Sequence, residues 1–291
     1  MLRSKLRFNF LPDSAVLKLT RSGLAAGGIA VANVTARAVA PGPGAFAGVV
    51  VALDGDPRQD RTPPDDMNAN PLSAGRPVYD FYSIEVVQRI GYDSFTPDSG
   101  VLIAKNKNNE GNTCGYNCFT WVIDAHPEDI RMEDFKRPNG EPVMRTIADY
   151  RQLNDALFHA GLNSGSQYEW EDTPNRLHFY VVDLHKDARG ILSYTVAVRS
   201  LDGAGPASRG VALASAPQSC AVTVTNTGTA GYDVYRLSVT QGSGQLSNAL
   251  AAVNAGESQQ VPVYAPAGAV TLRAVSESDP TKSATATATC K

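Results

Sequence analysis

Short segments in which apolar and polar residues alternate recur along almost the whole 291-residue chain. Alternation with a period of two places one kind of residue on each face of a β-strand, and a helix does not produce it. Early examples are "AVLKL" and "GIAVANVTARAV", whereas "AGVVVAL" is a continuous apolar run typical of a strand buried on both faces. Gly (25) and Pro (18) are frequent, as in chains with many strand-to-strand turns. The sequence therefore predicts a mainly β fold.

A change of composition near residue 213 indicates two domains, which suits the length of the chain. Residues 1–213 are predicted to form a β-rich domain with a long exposed loop at 54–77, rich in Asp, Pro, Asn and Gly. Residues 217–291 contain five short alternating segments dominated by Thr, Ala, Ser and Val. This pattern predicts a small immunoglobulin-like β-sandwich, although neither tryptophan of the chain lies in it.

One segment of the first domain has helical periodicity instead. In "IADYRQLNDALFHAG", Leu153, Leu157 and Ala160 recur at helical spacing, and Gly161 supplies a natural stop. We therefore predict that the first domain contains one helix, at about residues 149–160.

The four cysteines, Cys114, Cys118, Cys220 and Cys290, fall into one close and one distant pair. A bridge between the distant pair would tie the first strand of the second domain to its last strand. Closing that loop of about 71 residues is worth roughly 4 kcal/mol in the loop-entropy model. A bridge between the close pair would tighten a polar turn, and paired cysteines suit an oxidising compartment. A zinc site built from all four is the alternative, but the spacings do not form two Cys-x-x-Cys knuckles.

Charge and hydropathy patterning narrow the range of partners and compartments. The net charge is −3 and no basic block is present, so nothing indicates a nucleic-acid partner. No apolar run approaches the ~18 residues that a membrane helix requires. Lys5, Arg7 and Asp13 interrupt what would be the apolar centre of a signal peptide. Because the cysteines favour secretion, we expect this chain to be the downstream part of a longer secreted product.

The residue types of a catalytic centre are present, but not in a recognisable arrangement. No His-Glu-x-x-His motif, which would place two zinc ligands on one helical face, occurs among the four histidines. His178 and His185 lie at an odd separation, so a regular strand would point them to opposite faces. No Gly-x-Ser-x-Gly elbow is present either. We predict no catalytic and no metal-binding residue here, and keep an unorthodox metal site at His178 or His185 as an alternative.

Two polar regions remain as candidates for binding. "QYEWEDTPNRLHFY" places Tyr168 and Trp170 beside Asp172, and aromatic residues with acids can line a sugar groove, although such aromatics more often lie in a core. The aspartates of the 54–77 loop are expected to be solvated, because "DGDPRQD" has Arg58 at a ligand position of a calcium loop. Asn33 begins a glycosylation sequon. The predicted ligand contacts are therefore Tyr168, Trp170 and Asp172.

The stretch "DFYSIEVVQRIGYDSFTPDSGVLIAK" resembles a segment of the immune inhibitor A-like secreted metallopeptidases, metallopeptidase family six. In that family an aromatic-rich strand ending in a glutamate and a basic residue precedes a Gly-x-Asp turn and a Pro-x-x-Gly-Val-Leu-Ile strand. The matching positions are Phe81, Tyr82, Glu85, Arg89, Gly91, Asp93, Pro97, Gly100, Val101, Leu102 and Ile103. The tail from "VTNTGTAGYDVYRLSV" onward resembles sandwich modules appended to secreted bacterial hydrolases.

The resemblance implies that the parent protein is a secreted zinc peptidase. The family's zinc ligands and catalytic glutamate lie in the motif that is absent here, so zinc is expected in a missing upstream catalytic domain. Structural calcium also occurs in the family, but its ligands match no particular residues here. We therefore expect a non-catalytic region that stabilises the upstream domain or presents a protein or glycan substrate to it. The alternative is a free-standing extracellular adhesion or carbohydrate-binding protein of two sandwiches.

Overall fold

The computed structural model describes residues 2–55, 60–62, 79–107, 120–127, 131–144, 150–216 and 219–291. Most of the predicted loop at 54–77 and both Cys114 and Cys118 lie outside these residues. The helices are α1 (Leu2–Arg7) and α2 (Arg21–Gly27). The strands are β1 (Val16–Thr20), β2 (Ile29–Thr35), β3 (Gly48–Ala52), β4 (Phe81–Val87), β5 (Gly100–Asn106), β6 (Thr120–Val122), β7 (Arg131–Lys136), β8 (Pro142–Met144), β9 (Glu169–Asp172), β10 (Leu177–Lys186), β11 (Leu192–Ser200), β12 (Val211–Ser215), β13 (Ala221–Asn226), β14 (Tyr232–Gln241), β15 (Leu250–Asn254), β16 (Ser258–Pro262), β17 (Gly268–Ser276) and β18 (Ser283–Cys290).

The first part of the chain is built around two sheets that share one core. One sheet has the order β1-β3-β4-β5-β6, in which β1 runs parallel to β3 and the other neighbours are antiparallel. The other sheet, β2-β11-β10-β9, is antiparallel throughout. Val51 and Tyr82 from the first sheet meet Phe179 and Val196 from the second in the buried core. The mainly β prediction is confirmed.

Strands β4 and β5 are buried on both faces. One face packs on the second sheet, and the opposite face is covered in part by α1 and by Leu157. Leu2 of α1 is buried, and a side chain on Gly48 would collide with it. Polar residues of these strands are therefore enclosed, and they require partners inside the protein.

The second part is a sandwich of seven strands. The sheets β12-β13-β16 and β15-β14-β17-β18 pack their apolar side chains into one core. A disulfide joins Cys220 to Cys290, with the Cα atoms 4.5 Å apart, so the predicted pairing of these two cysteines is confirmed. Cys220 directly precedes β13, which is the second strand of the sandwich, and Cys290 ends the last strand. Strand β12 pairs with β13, so the sandwich includes residues that precede position 217.

The two sandwiches meet through an apolar surface. Tyr180, Val182 and Ala197 from the first pack against Val234 and Leu250 from the second. An interface of this kind, with buried apolar side chains on both sides, opposes independent motion of the domains.

The connection between the sandwiches is also held by close backbone contacts. Arg209, which is buried, donates hydrogen bonds to the carbonyl oxygens of Ala204 and Tyr232. Gly28 and Gly205 have positive φ angles of 90° and 72° and lie where the two chain segments approach most closely. Side chains at these glycines would collide with the opposite backbone, so the crossing needs both of them.

The helix predicted at 149–160 ends at Asp155, and the first domain also contains α1 and α2, so the prediction of a single helix up to residue 160 is wrong. A 3₁₀ helix covers Tyr150–Asp155, and the chain is extended after it. Phe158 donates to and accepts from the backbone of Val101, at 2.9 Å in both directions. This pairing with β5 buries Leu157 and Phe158, and it outweighs the helical periodicity of the segment.

Candidate functional site

The three predicted ligand contacts do not form one exposed surface. Asp172 is buried, and the ring of Trp170 packs on the core with centroids 5.9 Å from Tyr82 and 5.4 Å from Phe179. Tyr168 packs instead against the apolar interface between the sandwiches. Packing therefore accounts for all three positions, and their contact with a ligand stays a prediction.

Asp172 belongs to a polar cluster sealed between the two sheets of the first sandwich. Its centre is Lys105 on β5, which is 0% exposed. The Lys105 Nζ lies 3.2 Å from Asp60 Oδ2 and 3.6 Å from Asp172 Oδ2, and it donates to Thr62 Oγ1 at 2.7 Å. Asp60, Thr62 and Asp172 are also buried. The expectation that Asp60 is a solvated loop carboxylate is therefore wrong.

The amide of Asn175 and the hydroxyl of Tyr82 complete this cluster. Asn175 Nδ2 donates to Asp60 Oδ1 and to Asp172 Oδ2, at 2.8 Å in both cases. The hydroxyl of Tyr82 donates to Asp172. Burial raises the pKa of Tyr82 well above its usual value, and the charges of Asp172 and Asp60 raise it further. All of these side chains are buried, so the cluster is closed to substrates.

One residue of this cluster carries a weak signal in the sequence. Lys105 follows the apolar run at 101–104, and a lysine at that point of a buried strand requires an internal partner. Its partners could not be named, because Asp60 lies 45 residues away in a loop and Asp172 comes from the opposite sheet. Strand pairing, which single-sequence patterns do not specify, brings them together.

The described residues do not fit a zinc site. No group of three or more His, Cys, Asp or Glu side chains that could hold a metal ion occurs among them. Each histidine lies within hydrogen-bond or ion-pair distance of a protein group: His126 of the Asp155 carbonyl, His159 of Asp98, His178 of Glu169 and Tyr180, and His185 of Thr195.

His178 and His185 were expected on opposite faces, and this expectation is wrong. Their partners on β11 are Arg199 and Ser193, which are six residues apart and therefore share a face. A register shift between Val181 and Asp183 in β10 adds one residue and changes the alternation. The six-residue spacing of their partners on β11 still places the two imidazoles about 20 Å apart, which is too far for both to bind one metal ion.

A network of ion pairs crosses the interface between the sandwiches. Arg236 of the second sandwich donates to both carboxylate oxygens of Glu169 in the first, at 3.0 and 2.6 Å. Its Nε donates to Glu277 at 2.6 Å, and Tyr180 donates to the same carboxylate at 2.8 Å. His178 lies 3.1 Å from Glu169. Bidentate geometry of this kind makes the pairing directional as well as attractive.

The electrostatics of this network favour its charged form. Burial raises the pKa of Glu169, but the hydrogen bonds from His178 and Arg236 outweigh burial and bring that pKa to about 2. Burial lowers the pKa of Arg236, and its bonds to Glu169 and Glu277 more than reverse this effect. Both partners are therefore ionised near neutral pH and join the two sandwiches.

Two segments of the first sandwich, the chain after α1 and the β4–β5 loop, expose large aromatic rings. We define the aromatic surface as Phe8, Phe10, Tyr92 and Phe95, which are 62%, 75%, 97% and 84% exposed. Arg37 links the segments that carry these rings. The Arg37 guanidinium donates two hydrogen bonds to Asp93, and the Arg37 carbonyl oxygen accepts one from Lys5 Nζ. Arg37 also lies 3.4 Å from Glu85 of β4, so these partly buried contacts anchor the exposed rings to that strand.

Comparison with known proteins places the chain in a family. Residues 7–201 match a family model described as a middle domain, and residues 204–291 match its companion model, described as a Peptidase M6-like domain. The chain belongs to this Peptidase M6-like family. The resemblance to metallopeptidase family six that the sequence suggested is confirmed.

A relative extends the comparison. Over an alignment of 323 positions, the chain is 41% identical to a protein of Arthroderma benhamiae named "Putative secreted metallopeptidase". The match covers 97% of this chain and 46% of that protein. This member of the Peptidase M6-like family thus spans about half the length of the relative. Among its described residues, no helix is long and apolar enough to cross a membrane.

Proposed function

We propose that this chain is a non-catalytic accessory region of a secreted, immune inhibitor A-like zinc metallopeptidase, and that a catalytic domain of the same polypeptide packs on its aromatic surface. The zinc and the residues that use it would lie in that catalytic domain. The observation that carries the proposal is the aromatic surface itself. Grouped exposed rings are uncommon on domains that act alone, and aromatic residues are enriched at interfaces.

Two further observations support the catalytic domain as the occupant. The family model for residues 7–201 describes a middle domain, and the match after it occupies the C-terminal side. More than half of the relative lies outside the match. The aromatic surface is carried by the residues next to the start of that middle domain and by the β4–β5 loop, so a preceding domain would reach it without a long linker.

The architecture supports a stabilising role more directly than substrate presentation. The apolar interface and the Arg236 network fix the second sandwich against the first, so the pair can act as one rigid support. We also propose that the second sandwich is an immunoglobulin-like module and that the domain boundary lies between β11 and β12. Its seven strands in sheets of three and four support the first assignment, and the pairing of β12 with β13 supports the second.

The decisive experiment replaces two rings in the whole secreted polypeptide. Phe10→Ser with Tyr92→Ser should lower the unfolding temperature of the catalytic domain by several degrees, since about 1–2 kcal/mol of ring burial is lost. The sandwiches themselves should keep their unfolding temperature, because both rings are exposed in this chain. Tyr264→Ser, which removes an exposed ring of the second sandwich, is the matched control. Equal catalytic-domain stability in all three proteins would refute the docking surface.

Kinetics separate the two accessory roles. If the region only stabilises, the ring variants should retain kcat/KM on a short peptide and on a folded protein at low temperature. If it presents substrate, activity on the protein should fall while activity on the peptide is kept. The mass and N-terminal sequence of the native secreted polypeptide would show whether a zinc domain precedes residue 7.

A free-standing adhesion or carbohydrate-binding protein is the second candidate. Its supporting observation is that Tyr168 and Trp170 keep part of their surface exposed although they pack inward. Glycan-array binding that is lost in Trp170→Ala, with unfolding still cooperative, would favour this function. Absence of binding in the unaltered chain would remove it.

A further inference from the structure

The sealed cluster around Lys105 has an arrangement that a simple ion pair does not require. An ammonium and two carboxylates are buried together, and burial of ions costs more free energy than their attraction commonly returns. A reaction between these groups would begin with transfer of one proton from the ammonium to a carboxylate, which gives a neutral amine and a neutral acid. An amine held against a carboxylic acid in such a site is a pair of reactants.

The hydrogen bonds at Asp60 point to a particular reaction. Its Oδ1 accepts from the Thr62 N–H at 3.0 Å, from the Thr62 hydroxyl at 2.6 Å and from Asn175 Nδ2 at 2.8 Å. Three donors converging on one carboxyl oxygen form an oxyanion hole, which stabilises the negative charge that develops when a nucleophile adds to the carbon. The nucleophile would be Lys105 Nζ, which lies 3.3 and 3.2 Å from the two Asp60 oxygens and is therefore close to the carbon between them.

We propose that the side chains of Lys105 and Asp60 condense after folding to form an intramolecular amide bond, with Asp172 moving the proton. The Lys105 amine adds to Cγ of the protonated Asp60 carboxyl, and the new C–N bond forms as Oδ1 takes up the charge in the donors of Thr62 and Asn175. The nitrogen gives a proton to the Asp172 carboxylate, which passes it to Oδ2. The C–Oδ2 bond then breaks and one water leaves. Ammonium and carboxylate become amide and water, so no oxidant or reductant is needed.

The other members of the cluster fit these roles. Asp172 Oδ2 lies 3.6 Å from Lys105 Nζ, and Asn175 bridges it to Asp60. The rings of Tyr82 and Trp170 cover the ammonium, with centroids 5.6 and 6.0 Å from Nζ. These rings limit the access of water, which would otherwise hydrate the amine and compete for the carbon. The bond would be a covalent cross-link between the loop after β3 and strand β5. Such a cross-link would increase the resistance of the domain to proteolysis.

Mass spectrometry tests the bond directly. The whole polypeptide, reduced, denatured and deglycosylated, should have a mass lower than its sequence mass by one water. Proteolytic digestion should release one branched peptide in which Lys105 is joined to Asp60. Lys105→Arg keeps the positive charge without an amine that can condense, so it should restore the full mass. Asp172→Asn keeps a side chain of the same shape but cannot carry the proton, so the bond should form far more slowly or not at all.

An exposed pair is the matched control. Lys18 and Asp13 lie closer together, at 2.8 Å, but both side chains are hydrated. Lys18→Arg should leave the mass deficit and the branched peptide unchanged. A full sequence mass in the unaltered polypeptide would overturn the proposal, even where the variants do not fold. Loss of one ammonia with Lys105 joined to Asn175 would overturn the assigned partner.

Discussion

At the scale of single residues, the crossing between the sandwiches depends on Gly28. A Cβ there would lie 2.3 Å from the Ala204 carbonyl oxygen, and its φ of 90° strains any other residue. We expect Gly28→Ala to lower the free energy of unfolding by about 1–3 kcal/mol, measured by urea denaturation. Gly27→Ala is the control, because a Cβ at Gly27 meets nothing within 4 Å. Equal changes in the two variants would show that the close approach at the crossing does not set the cost.

The buried residues show which part of the site the sequence could indicate. A lysine that follows an apolar run in a strand indicates an internal partner, and Lys105 is paired inside the protein with Asp60. Asp60 was expected to be solvated and Asp172 to contact a ligand, because a polar loop and an aromatic strand give no sign of which sheets will enclose them. Burial of Asp60 and Asp172 is a property of the assembled sandwich rather than of their local sequence.

At the scale of elements, strand alternation was reliable and helical periodicity was not. Segments such as "GIAVANVTARAV" and "ILSYTVAVRSL" contain β2 and β11, because a period of two has few alternatives once one face is buried. The helix expected at 149–160 failed because Phe158 completes hydrogen bonds with Val101 on a neighbouring strand. Short helices depend on tertiary packing for most of their stability, so a competing strand contact decides the outcome.

The bridge between β13 and β18 carries a prediction at this scale. Cys220 and Cys290 are 70 residues apart in sequence, so the bridge restricts the unfolded second sandwich strongly. Replacing both with serine should lower the stability of that sandwich by roughly 2–4 kcal/mol. Hydrogen exchange of β13 and β18, compared with that of β10 and β11, would locate the loss. Loss spread evenly over both sandwiches would instead mean that they unfold as one unit.

At the scale of the whole molecule, the joint between the sandwiches should weaken in acid. The pKa of Glu169 falls from 4.5 to about 2 in the folded chain, because its bonds to His178 and Arg236 outweigh burial. A lowered folded pKa means that the contribution of this carboxylate is complete above about pH 4.5 and is lost as the pH falls towards 2. The protection of the amides in the interface strands β10 and β14, measured relative to their intrinsic exchange rates, should therefore fall as the pH drops from about 4.5 to 2.

Glu169→Gln separates this group from other acids. The amide cannot ionise, so the variant should have a weaker interface at pH 7 and a shallower dependence on pH. Glu257→Gln, at an exposed position of the second sandwich, should behave like the unaltered chain. If the two variants have the same pH profile, groups other than Glu169 cause the loss of protection in acid, and the Arg236 network does not weaken the interface. If only Glu169→Gln flattens the profile, one carboxylate at the interface couples the pH of the medium to the rigidity of the two joined sandwiches.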